Sequence, residues 1–466
     1  MSGPRQAASF RDPSGFLFTR DGVLYRQVNH RYAQHYDLLM KSGLCDDLVG
    51  RGLMLAHEEA PADLACEPPA YKVLQPQPAD FISYPYEWCF SQLQDAALAT
   101  LEIQSRAVEK GMTLKDASAY NIAFHRGRPV LIDTLSFEPM PQPRPWVAYR
   151  QFCQHFLAPL ALAARRDMRL TQLLRVHIDG VPLDLASRLL DWPSRLRLGL
   201  QIHLHAHARC QRRHQNDAAA PAAALRPMSR RALMGLLDNL RATVAGLKWR
   251  PFASAWSGYY DDTNYTPAAM ADKKRLVDEM IGEAAPATVW DLGANRGLFS
   301  RLASRHGIFT AAMDMDFAAV ESNYRQARDE KDPHLLPLAM DLTNPSAAIG
   351  WAGQERMSLA QRGPADLVLA LALVHHLAIG NNVPLGQVAR YLASLGRRLV
   401  IEFVPKADSQ VQRLLASRED VFSEYSQEAF EKHFGEFFSV TRRQPIADSQ
   451  RTLYAMTVAA GPQLLK

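Results

Sequence analysis

The run Val289-Trp-Asp-Leu-Gly-Ala-Asn-Arg-Gly-Leu-Phe-Ser300 constrains the fold of this chain more than any other segment. An apolar stretch closing on an acidic residue and a glycine reads as a strand that turns sharply into a helix. Gly293 lets the backbone turn and leaves room for a ligand, while the helix that follows offers unpaired N–H groups. The spacing narrows the ligand. A dinucleotide loop is written Gly-x-Gly-x-x-Gly, whereas Asp291 here stands two residues before Gly293, and Gly297 follows after three intervening residues. The loop therefore reads as a nucleoside-cofactor loop without a pyrophosphate cradle, the bland alternative being a tight strand-to-helix turn.

Further apolar runs follow in order. Residues 307–314 end in Asp314, 335–340 lead into Asp341-Leu342, and 366–373 and 398–404 make a fourth and a fifth, with helix-like segments between them. Residues 436–443 and 451–458 read as two final strands across a turn containing Pro445. The motif and this succession resemble the class I S-adenosyl-L-methionine-dependent methyltransferases. Their first motif, acidic-x-Gly-x-(Gly/Asn)-x-Gly, is matched by Asp291, Gly293, Asn295 and Gly297. The resemblance covers about residues 255–460. It implies an α/β fold: a C-terminal seven-stranded Rossmann-like sheet with its ligand beyond the carboxyl ends of the strands. It also implies that S-adenosyl-L-methionine is the cofactor. Asp291 and its loop would hold the methionine end, Asp314 would accept both ribose hydroxyls, and Asp341 with Leu342 would lie against the adenine.

In such enzymes the residues just past the fourth strand face the departing methyl. Here they are His375 and His376, with no Asp/Asn-Pro-Pro-aromatic motif for a planar nitrogen. A histidine can take the proton of a hydroxyl as its oxygen attacks; the alternative is that the pair caps the strand. Glu402, at the end of the fifth strand, is a third catalytic candidate, as acceptor for a substrate hydroxyl or partner for a histidine, or else a salt-bridge partner of Lys406. Asp408, Arg418 and Arg451 follow on the substrate side, where the arginines suit an acidic group. Upstream, Trp256 to Tyr260, Tyr265 and Lys273-Lys274 either close over the cofactor or pack on the sheet. An oxygen of a small molecule or glycan is the expected acceptor.

The N-terminal part carries a different pattern. Asp116, four residues, Asn121, a strand, the turn His125-Arg-Gly-Arg-Pro129 and a second strand ending in Asp133 resemble the core of kinase-like phosphotransferases. The likeness implies an α+β domain in which Asp116 takes a hydroxyl proton while Asn121 and Asp133 hold magnesium on a nucleotide. Residues 92–110 read as the preceding helix, 80–88 as strand and hinge, and 15–20 with 22–28 as a hairpin. No glycine-rich phosphate loop precedes residue 70, and Arg26 or Lys72 stands where the strand lysine belongs, without a Val-Ala-x-Lys context. An Asx-capped turn is the plainer account of Asp116 and Asn121.

Length divides the chain. At 466 residues it exceeds one ordinary domain, and the expected division is 1–185, a connector 186–250, and 251–466. The connector concentrates charge: residues 188–250 sum to +9, leaving −4 for the rest of a chain whose net charge is +5. With Arg209-Cys-Gln-Arg-Arg-His214 and the Ala/Pro tract 218–224, it reads as a solvated helical linker, or as a phosphate-binding surface for RNA, a phosphorylated glycan or an anionic membrane. The rival functions are accordingly an RNA or protein methyltransferase, or a bifunctional kinase-methyltransferase. His203, His205 and His207, with Cys210 and His214, could ligate a metal, yet their spacing fits no zinc pattern and no metal is expected. Five scattered cysteines and no membrane-length apolar run point to a cytoplasmic protein.

Overall fold

The structure, a computed structural model, describes residues 5–140, 145–214, 227–249, 264–416 and 419–459. The Ala/Pro tract 218–224, Trp256 to Tyr260, Arg418 and the side chains of 211–214 lie outside the described residues. The chain divides into two compact units, Met1–Arg250 with Ile349–Arg356, and Pro251–Ala348 with Met357–Lys466.

In the first unit, β1 (Gly15–Arg20) and β2 (Val23–Val28) pair antiparallel. Their turn is Asp21-Gly22, with φ of 51° and 79°, the left-handed pair whose twist suits a two-residue hairpin. β3 (His57–Ala60) and β4 (Lys72–Pro76) complete a four-stranded sheet of order β1-β2-β4-β3. Residues 80–88, expected as strand and hinge, hold no strand, only a 3-10 turn at Pro85–Glu87. Pro76, Pro78 and Pro85 lack the N–H that a continued ladder needs. The helix Phe90–Glu109 leads into β5 (Met112–Leu114). The hairpin of β6 (Ile122–His125) and β7 (Arg128–Leu131) turns on Arg126-Gly127, and β8 (Phe137–Pro139) returns to pair with β5. Beyond it the described residues up to 249 are largely helical, the last helix being Arg230–Ala245.

The second unit opens with the helix Pro267–Ala284, whose first turn is capped by the Thr266 hydroxyl accepting from the Ala269 N–H at 3.0 Å. Seven strands follow: β9 (Thr288–Leu292), β10 (Phe309–Asp314), β11 (Leu335–Ala339), β12 (Ala365–Ala370), β13 (Gly396–Phe403), β14 (Phe438–Pro445) and β15 (Thr452–Val458). They form one sheet of order β11-β10-β9-β12-β13-β15-β14. The first five are parallel and β15 and β14 antiparallel. This is the seven-stranded Rossmann-like sheet of the class I methyltransferase fold. Pro445 ends β14 instead of lying in the turn.

Parallel strands are covered on both faces and so carry apolar runs without alternation. On one face Leu276, Val277, Met280 and Ile281 of the leading helix join Val289, Phe299, Leu367 and Leu369, all buried. On the other, Ala294, Ala312, Ala327 and Leu335 form a smaller cluster. Each large side chain so buried contributes about 1.5–3 kcal/mol. Strand order reverses at β9, between β10 and β12, and that is where an open parallel sheet leaves a crevice for a ligand.

Candidate functional site

The glycine loop is built by its backbone. Gly293 (φ 78°), Asn295 (φ 49°) and Gly297 (φ 76°) are all left-handed, so the chain leaves β9 through conformations that favour glycine and asparagine. A Cβ at Gly297 would stand 2.5 Å from the Asn323 side chain, so close packing demands glycine here as well as the turn. Gly293 faces Leu373 across the crevice at 3.4 Å from its ideal Cβ, bringing the segment after β12 over the loop.

Three carboxylates stand at the ends of β9, β10 and β11. Asp291 is buried and accepts the Ser300 hydroxyl at 2.6 Å. Asp314 accepts two backbone N–H groups, from Asn295 at 2.7 Å and Asp316 at 2.8 Å, one on each oxygen. Burial pushes both carboxyls up to about 6, because neither has a cation against it in an ion pair among the described residues and low dielectric disfavours the bare charge. Such a pair suits a ligand that brings positive charge and hydroxyl donors. Asp341 is half-buried and accepts the Thr343 N–H at 2.8 Å and hydroxyl at 2.6 Å, while Leu342 beside it is also half-buried.

The histidine pair follows β12. His375 is 1% exposed, and neither of its ring nitrogens has a partner. The His376 ring lies 4.1 Å away between centroids. Burial, with His376, Arg451 and Lys273 nearby, holds His375 far below its usual range, and burial lowers His376 to about 4. Both imidazoles are therefore neutral at physiological pH. A buried ring with two unmatched nitrogens costs stability unless something else meets them, and both nitrogens of His375 are left available for a further hydrogen bond.

Glu402 sits lower, fully buried. One oxygen receives Lys273 Nζ at 2.6 Å and the Ala372 N–H at 2.8 Å; the other is bonded by the Tyr265 hydroxyl. Arg451 bonds the Tyr265 hydroxyl at 2.8 Å, the two Asp408 oxygens at 2.7 and 3.1 Å, and the Asn264 carbonyl oxygen at 2.8 Å. Burial opposes the Glu402 charge, but Lys273 and Arg451 hold its carboxyl below the usual range. Glu402 is thus anchored from four sides, and its bond to Ala372 fixes the backbone that presents the histidines. Lys406, the sequence's other candidate partner, pairs with Asp420 at 2.8 Å. Lys273 had a signal in the sequence: Ala269, Lys273, Leu276, Val277 and Met280 share one helical stripe, and a lysine in an apolar stripe requires a buried carboxylate. Asn264 had none.

In the first unit the structure brings Asp116, Asn121 and Asp133 together. Asp116 accepts the Ser118 N–H at 3.0 Å and the Gln151 amide at 2.7 Å, and it is bonded to Asn121 as well. Burial and the nearby Asp133 raise its carboxyl. Arg26 Nη1 lies 2.5 Å from Asp133, and Lys72 pairs with Glu59 at 2.5 Å.

The histidines of the basic segment point inward. His203 bridges the Tyr149 hydroxyl and Asn239 at 2.7 Å each, His205 bridges the Ser187 and Ser194 hydroxyls at 2.8 and 2.9 Å, and His207 stacks on Tyr149. His203 and His205 serve as internal hydrogen-bond bridges. No helix among the described residues is long and apolar enough to cross a membrane.

No protein-family model matches the chain. Nodulation protein NoeA of Rhizobium meliloti (strain 1021) is 35% identical to it over 458 residues, which is 97% of this chain and 95% of that protein. Among solved structures, magnesium protoporphyrin IX methyltransferase (ChlM) from Synechocystis PCC 6803, with bound SAH, is 18% identical, with 44% of this chain and 92% of that chain covered at a TM-score of 0.32. N-methyltransferase NodS from Bradyrhizobium japonicum WM9 is 13% identical, with 41% and 97% covered at 0.30. For the bifunctional kinase-methyltransferase WbdD the corresponding figures are 13%, 44%, 42% and 0.30. At these scores the likenesses add nothing to what the strand order itself gives.

Proposed function

Because the chain belongs to the family of nodulation protein NoeA, we propose that it works in the same process, as an S-adenosyl-L-methionine-dependent methyltransferase whose acceptor is an oxygen of a small molecule or glycan. The observation that carries the reading is the set of carboxylates at the ends of β9, β10 and β11, the three adjacent strands at the switch point of the sheet. S-adenosyl-L-methionine supplies a methyl group activated by its sulfonium. Asp291 offsets the positive charge of the methionine end, Asp314 receives the ribose hydroxyls, and Asp341 with Leu342 borders the adenine.

On the acceptor side His375 takes the hydroxyl. A neutral imidazole accepts its hydrogen bond, and as the oxygen bonds to carbon its proton becomes strongly acidic, so that even a base of depressed basicity removes it. The rest is alignment and exclusion of water, which the buried Glu402 network provides by fixing Ala372.

The test is transfer from methyl-labelled cofactor into pools of hydroxylated small molecules, glycans, RNA and protein. Label should enter an alkali-stable methyl ether in the first two pools. His375→Ala should lower kcat by roughly 10²–10⁴-fold, the range of general acid–base assistance, with cofactor affinity nearly unchanged. Label confined to RNA or protein would overturn the acceptor class.

A further inference from the structure

The cluster of Asp116, Asn121 and Asp133 is not used by methyl transfer. Phosphoryl transfer would use it to hold magnesium on a nucleotide, and a divalent metal needs carboxylate oxygens free to turn towards it at about 2.1 Å. Those of Asp133 are taken. One oxygen receives Arg26 Nη1 at 2.5 Å and the Leu135 N–H at 3.4 Å; the other accepts the Ser136 hydroxyl at 2.5 Å. Asn121 donates its amide to the same Ser136 hydroxyl at 3.3 Å. The side chains of Arg26 and Asp133 are only 10% and 16% exposed, so the pair is little screened by water.

The β1–β2 turn supplies no phosphate cradle either. β1 and β2 are joined by Asp21-Gly22 alone, which presents a carboxylate where phosphates call for successive N–H groups. A guanidinium stays charged at any physiological pH and binds carboxylates by directed hydrogen bonds. We infer that Arg26 is the resident cation of Asp133, occupying the carboxylate a divalent metal would otherwise need, and that this unit binds no magnesium nucleotide. The sequence places Arg26 as a stand-in for the strand lysine; its partner is instead the carboxylate that would hold the metal.

The experiment is manganese uptake, read by electron paramagnetic resonance with and without ATP, together with thermal melting of the full chain. Wild-type protein should take up no manganese that Asp133→Asn removes, and manganese-ATP should leave its melting temperature unchanged. Arg26→Gln should melt several degrees lower, and manganese should restore part of that loss only while Asp133 is present. Wild-type stabilisation by manganese-ATP that disappears in Asp133→Asn would overturn the inference, as would an Arg26→Gln variant that melts like wild type. If Arg26→Gln does not fold, the wild-type and Asp133→Asn arms decide alone.

Discussion

Glu402 shows what it takes to bury a charge. Its two oxygens are met by Lys273, the Ala372 N–H and the Tyr265 hydroxyl, with Arg451 behind them tied to Asp408. Removing one member of such a set leaves an uncompensated ion out of water, which costs about 3–5 kcal/mol. Lys273→Met should therefore lower unfolding stability by about that much in urea titration, and combining it with Glu402→Gln should recover part of the loss. A Lys273→Met variant as stable as wild type would show that the pair carries no such weight. The individual residues were partly legible. Glu402, Arg451, Asp408, Tyr265 and Lys273 all stand out in the sequence, Lys273 by interrupting an apolar stripe. Their connections were not, because Lys273 and Glu402 lie 129 residues apart and only the sheet brings them together.

At the scale of elements, the strands carrying the site read well from apolar runs ending in carboxylates, since a buried parallel strand leaves a continuous signature. Prolines misled the reading elsewhere: residues 80–88 lost their strand to Pro78 and Pro85, and Pro445 closed β14 instead of a turn. Spacing fits no zinc pattern for the histidines of Gln201–Ala206 and gives their side chains no direction; the helix turns His203 and His205 into the interior. Burial lowers both, and it lowers His155 to about 3 and His376 to about 4. The folded state then binds fewer protons than the unfolded chain. The stabilising contribution is complete above the unfolded value near 6.5 and is lost as pH falls towards the folded values. His155 and His376 should each remove about 0.7 kcal/mol between pH 7 and 6. Asp291 and Asp314, raised from 3.8 to about 6, act in the opposite sense and each return about 0.35 kcal/mol over the same interval, so the two histidines still prevail. The urea midpoint should accordingly drop from pH 7 to pH 6. A midpoint that is flat or rising over that interval contradicts the assignment of buried neutral imidazoles.

For the molecule as a whole, length and the change of motif vocabulary announce more than one domain, and the succession of Asp116, Asn121 and Asp133 that the structure draws together is visible in the sequence. What sequence could not convey is that Arg26 closes that cluster, because a strand arginine is defined by the carboxylate it reaches. The second unit is proposed to hold S-adenosyl-L-methionine in its crevice through ionised carboxylates. The most direct test is isothermal titration of the full chain with S-adenosylhomocysteine from pH 5 to 8, beside Asp314→Ala. With Asp291 and Asp314 both poised at about 6, affinity should be level above pH 7 and fall below 6 by up to about tenfold per unit for each carboxylate that must be ionised, and Asp314→Ala should abolish binding at every pH. No binding by the folded wild-type chain, or binding that Asp314→Ala leaves intact, would contradict the claim.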